Sequence, residues 1–96
     1  MAHNVVATVE KSPGEVLLRG LDWASFLSGI DGTVTIVGSS WSVTTEGLTV
    51  SSVGYSTTYT QCKISGGTSG WTYNVVNHVI LSDTQEIEHA IKVVVE

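Results

Sequence analysis

The feature that most constrains this chain is its last quarter. Across residues 71–81, and again across 86–96, side chains alternate with a period of two. Trp71, Tyr73, Val75, Asn77, Val79 and Leu81 share one face of the first segment. Thr72, Asn74, Val76, His78 and Ile80 share the other. In the second segment Ile87, His89, Ile91, Val93 and Val95 lie together. A period of two belongs to an extended strand and cannot be laid on a helix. Residues 82–85, "SDTQ", are a short connector, so the two strands return on each other as an antiparallel hairpin. A long ribbon with one mostly apolar face needs a second layer to bury that face.

The rest of the chain can supply that layer. Val, Ile, Thr, Tyr and Trp dominate, and these residues favour strands. Residues 5–9, 15–20, 33–37, 48–50 and 59–65 read as further strands. In the last of these, Cys62 and Ile64 point inward, and Tyr59, Gln61 and Lys63 point outward. Between Ile36 and Trp41 the alternation changes phase, and Gly38 to Ser40 is where a bulge or bend restores it. "KSPG" at 11–14 and Glu46-Gly47 are turns. "LDWASFLSG" is the one helical piece. Asp22 can cap it, Trp23, Phe26 and Leu27 share a face at helical spacing, and Gly29 is expected to end it. The expected fold is all-β: an antiparallel immunoglobulin-like β-sandwich of about seven strands with one short helical turn. Ninety-six residues suit one such domain, 1–96. Residues 1–11 form either an extended N-terminal arm that adds to a neighbouring subunit, a plain first strand, or a disordered tail.

The glycine run "SGGTSGW" could be mistaken for a phosphate cradle. It has no Lys and opens a strand, whereas a phosphate loop opens a helix. In immunoglobulin-like sandwiches a tyrosine two residues before the core position of strand F bonds back to the preceding corner. By that comparison Tyr73 is the corner tyrosine and Val75 the core position. Gly66, Gly67 and Gly70 turn the chain with positive φ. Trp41 fills the core, as does Trp23. Asn77, an amide on an apolar face, needs partners and is expected to satisfy backbone groups at a bend.

Composition narrows the function. The net charge is −5, with only three Lys and one Arg, which argues against nucleic acid as a partner. No apolar run is long enough to span a membrane, and "MAHNVVATVEK" does not read as a secretory signal. A quarter of the residues are Ser or Thr, a neutral polar surface that either suits contact with other proteins or belongs to a β-domain that is simply Thr-rich. Cys62 is the only cysteine, expected buried and without a catalytic partner, and its context suits a reducing compartment. His3, His78 and His89 have no ligand spacing with other groups, so neither a metal nor any cofactor is expected. Asp22, Asp31, Glu46 and Asp83 lie in predicted turns, where carboxylates usually serve the backbone and at most bind calcium weakly. No catalytic grouping is apparent, and the chain is not expected to be an enzyme. Trp71, at the start of its strand beside the glycines, is the tryptophan expected to be accessible.

The order and spacing of several motifs carry a resemblance. "LDWASFLSGIDGTVTIVGSSWSV", then "GLTVSS", then "TYTQCKISGGTSGWTYNVVNHVILSDTQEIEHAIKVVV" is similar to a family of small immunoglobulin-like structural proteins of tailed bacteriophages, including fiber-tail adaptors. The resemblance runs from about Glu15 to Val95. It departs after "SD", where relatives often carry a glycine and arginines and this chain has the acidic "TQEIEH". The resemblance implies a virion component assembled in the host bacterial cytoplasm. Such a component is expected to join tail, neck or baseplate to fibres or neighbouring proteins, as a homo-oligomer in the assembled particle; Trp71 and Tyr59 are the expected partner contacts. The alternative is a carbohydrate-binding or host-adhesive module.

Overall fold

A computed structural model describes residues 4–30 and 33–96. His3, Asp31 and the first residues of the expected arm lie outside the described residues. The elements in chain order are β1 (Asn4–Lys11), β2 (Leu17–Asp22), α1 (Ala24–Ile30), β3 (Ile36–Val43), β4 (Leu48–Tyr55), β5 (Tyr59–Gly66), β6 (Thr72–Leu81) and β7 (Glu86–Val95). They form two sheets, one ordered β1-β7-β6-β3 and the other β2-β5-β4. This is an all-β sandwich with one short helix.

The terminal hairpin is the spine of the larger sheet, with β6 and β7 paired in unbroken register from Thr72↔Val94 to Ile80↔Glu86. Its inward positions Tyr73, Val75, Val79, Leu81, Ile91, Val93 and Val95 are buried. Cys62 and Ile64 from β5, Leu48 from β4 and Leu21 from β2 meet them from the facing sheet. Removing such side chains from water is the main favourable term in folding, about 1.5–3 kcal/mol for each large apolar residue.

The phase change in β3 is a bulge. Ile36 pairs with Leu81 and Gly38 with Ile80, so Val37 has no opposite number. Ile36 therefore faces the core on one side of the bulge, and Trp41 and Val43 do so on the other. β3 begins at Ile36 rather than at Thr33, because Thr35 exchanges hydrogen bonds with Ser82 instead of joining a ladder. β4 runs on to Tyr55, well past the "LTV" read from sequence. Ser51, Ser52 and Gly54 break the local strand pattern there, and pairing with β5 carries the strand through them.

Four of the five strand pairs are antiparallel, and β1 lies parallel to β7. The segment expected as an arm or a first strand is thus a strand of this chain's own sheet. After Lys11 the chain crosses at the "KSPG" turn into the facing sheet.

Helix α1 starts where Asp22 Oδ1 accepts the Ala24 amide at 3.0 Å. Gly29 lies within it rather than ending it. The helix seats Trp23 and Leu27 in the core, with Phe26 half-buried beside them. Of the two tryptophans expected in the core, Trp23 is fully buried there. Trp41 is only half-buried at the sheet's outer strand, packed against the core, and its Nε1 is buried with no hydrogen-bond partner. The reason is topological. β3 is an edge strand, with no hydrogen-bonded strand beside Trp41 on one side among the described residues, whereas Trp23, at the start of α1, lies in the core.

Candidate functional site

The glycine loop is a corner. Gly66, Gly67 and Gly70 all have positive φ. Tyr73, buried at the end of this corner, accepts a hydrogen bond from the Thr68 amide at 3.0 Å through its hydroxyl. Gly47, at φ 112°, is pressed against the same hydroxyl, and a Cβ there would stand 2.9 Å from it. Tyr73→Phe should therefore leave the Thr68 amide unpaired and destabilise by about 1 kcal/mol in a urea melt.

Asn77 is fully buried and is the centre of a polar network. Its Oδ1 accepts from Thr60 Oγ1 at 2.6 Å and from Trp23 Nε1 at 3.2 Å. Its Nδ2 donates to Ser39 Oγ at 2.9 Å and to the Ser40 carbonyl at 3.0 Å. The amide so joins β3, β5, β6 and the start of α1. Trp23 Nε1 also reaches Thr60 Oγ1 at 3.1 Å. The network uses every hydrogen-bonding capacity of the amide, and its work is architectural.

Lys11 was not foreseen. It is buried, and its Nζ donates to the carbonyls of Ser12 at 2.7 Å and Gly66 at 2.6 Å. The ammonium ties the end of β1 to the glycine corner. Read as part of an exposed turn, it gave no sign of this. Only the parity of β1, with Ala7 and Val9 also facing the core, pointed inward.

The two described histidines differ in kind. His78 lies on the outer face, with Nε2 2.7 Å from Glu86 and Nδ1 3.1 Å from Glu88. Hydrogen bonds to these two carboxylates hold its pKa above the ordinary 6.5. His89 faces inward and stacks on Trp23, centroids 4.2 Å apart, with Phe26 edge-on. Burial pushes its pKa below 6.5. The signs oppose each other. Protonated His78 contributes stability that is full below 6.5 and is lost as pH rises through its raised folded value. Neutral His89 contributes above 6.5, and its contribution is lost as pH falls through its lowered folded value. His78→Gln should therefore lower the melting temperature on the acidic side of neutrality and converge with the parent at alkaline pH. Melting curves from about pH 5 to 8.5 test this. The His78 effect should be modest, because the pair is solvent-screened.

Among the described residues there is no pocket, and no group of three or more His, Cys, Asp or Glu that could hold a metal ion. Burial raises the Cys62 thiol to about 12, so it stays protonated at neutral pH. Trp71 is 51% exposed and lies stacked near Tyr73, which is buried behind it. Tyr59 is exposed on the outer face of β5, its ring lying across the bare backbone of Gly20. The two residues expected as partner contacts sit on different parts of the surface. Other apolar side chains missed by the sequence reading, Val16, Leu18, Val37, Val53 and Ile80, are exposed as well.

What the surface offers, then, is sheet edges and solvent-facing apolar side chains on a rigid double-layered frame. These are the features of a β-sandwich that acts by contact with other proteins. The model of the family described as podophage GP4 fiber-tail adaptor protein gp77 matches residues 11–94, and the chain belongs to that family. Membership carries a structural adaptor role in a phage particle and contact with other virion proteins. No curated protein matches the chain.

Proposed function

We propose that this chain is one of several identical copies that join the tail, neck or baseplate of a tailed phage to fibres or neighbouring proteins. The family match over residues 11–94 carries this reading. The frame supports it. Two packed sheets tied by the Asn77 network hold their edges and loops in fixed positions, which suits a part that works by geometry. Trp71 and Tyr59 are contact residues in this reading. Large exposed rings contribute much area at small entropic cost when a partner covers them. Assembly in the reducing host cytoplasm is compatible with a frame that needs no disulfide, Cys62 being free and buried.

Cross-linking and mass spectrometry of purified particles test the reading. Links from this chain to tail or fibre proteins, and a copy number above one, are the expected result. Absence of the chain from purified particles would overturn it. The adhesive alternative requires a sugar platform, and Trp71 stands apart from the exposed rings of Tyr55 and Tyr59 on the other sheet. A glycan screen with Trp71→Ala as control should show no signal that depends on Trp71.

A further inference from the structure

The two sheets have four edges: β1 and β3 in one, β2 and β4 in the other. Three of them are interrupted. The register skips Val6 in β1, Val37 in β3 and Val53 in β4. Each skip is a bulge that bends the edge and turns a valine outward, and all three valines are exposed. Bulges are a known means of keeping an edge from pairing with another chain. β2 has none. From Leu17↔Ile64 to Asp22↔Tyr59 it pairs with β5 residue by residue, and among the described residues its other side has no strand neighbour.

The side chains along β2 describe a ligand. Val16 and Leu18 are 61% and 51% exposed, two residues apart on the outer face. Gly20 continues that row as bare backbone, with the Tyr59 ring laid across it. The chain has four Lys and Arg residues, and Lys11 is buried, which leaves Arg19, Lys63 and Lys92 in contact with solvent. Arg19 is on β2, and Lys63 is the cross-strand neighbour of Leu18. Neither has a carboxylate partner among the described residues. Arg19 Nη1 instead donates to the Leu18 carbonyl of its own strand, at 2.7 Å. The two carboxylates closest to Arg19 in sequence are engaged with backbone: Asp22 with the Ala24 amide, and Glu15 with the Ser12 amide at 2.6 Å. A protein of net charge −5 thus carries two of its three solvent-facing cations on or beside its regular edge, one on each face of the sheet.

We propose that the β2 edge is a strand-addition site for an extended, acidic segment of a partner protein. The segment forms a backbone ladder along Leu17–Asp22, seats apolar side chains on the outer face against Val16 and Leu18, and places carboxylates on the other face at Arg19, while Lys63 adds positive charge from the outer face. Arg19 releases the Leu18 carbonyl as the segment arrives. That the partner is a virion protein rests on the adaptor reading. The test needs only the purified chain, so failure here leaves that reading standing, and absence from particles leaves this site standing.

The probe is a fluorescein-labelled peptide of alternating Glu and Val, titrated by anisotropy at low salt. Saturable binding below about 1 mM is expected. It should weaken at least about tenfold in Arg19→Glu/Lys63→Glu, and that variant should bind the Lys/Val counterpart instead. Both positions are exposed, and an unchanged melting temperature shows that the variant folds. A peptide N-methylated at every Val should not bind, since it cannot form the ladder. Amide exchange should slow at those β2 amides that do not bond β5. The proposal is overturned by no saturable binding at about 1 mM, by equal binding to the double variant, or by protection at β1, β3 or β4. In each of those cases Arg19 serves only to close its own edge.

Discussion

Trp23→Ala is expected to lower the unfolding free energy by about 3–5 kcal/mol, as the loss of a fully buried large aromatic does. Three contributions add. The indole is 1% exposed and its volume would become a cavity. Its stacking with His89 and edge contact with Phe26 would vanish, freeing α1 from the sheet beneath it. Its Nε1 donates to both Thr60 and Asn77, and that donor would go. Trp41→Ala should cost clearly less, because Trp41 is half-buried and its Nε1 has no partner to lose. Urea unfolding of the two variants side by side gives the comparison. Equal losses would refute the assignment of the central place to Trp23. For a chain of this size, stability of 5–15 kcal/mol is usual, so the Trp23 variant should stand close to unfolding at physiological temperature.

Asn77→Leu is the second large effect, with an expected loss of about 2–4 kcal/mol. Leucine is of similar size and more apolar, so a ledger based on burial alone predicts a gain. The loss comes from what remains. The Ser40 carbonyl loses its Asn77 donor, and the Thr60 hydroxyl loses its acceptor in a dry interior. Each orphaned buried group costs about 1–3 kcal/mol. Adding Thr60→Val removes one of those orphans together with its partner. Thr60→Val/Asn77→Leu should therefore lose less than the sum of the single variants, a coupling that a double-mutant cycle reads directly. Strict additivity would show that the network is not a unit.

The inward face of the terminal hairpin was legible in the sequence residue by residue, because alternation is local and both strands lie deep in a sheet. The corner tyrosine was legible for the same kind of reason. Tyr73, the glycines and Thr68 lie within a few residues of each other, so the hydrogen bond closes a short loop. Asn77 announced itself as a misfit on an apolar face. Its partners Thr60, Trp23, Ser39 and Ser40 did not, being 17 to 54 positions away. The family was legible in the order of motifs, and the model match over residues 11–94 agrees with it.

Periodicity and turn chemistry by themselves determined the strands, the hairpin, the phase break in β3 and the all-β class. Each is a property of neighbours in the chain. The rest was decided by contacts across the fold. The parallel seat of β1 on β7, the burial of Lys11 under the glycine corner and the choice of Trp23 over Trp41 all depend on which strand ends up beside which. So does the difference among the four edges. A bulge is a mismatch between two strands, and only the one in β3 left a trace in its own strand's alternation. Only once Val6, Val37 and Val53 are seen to have no opposite numbers does β2 emerge as the edge left regular.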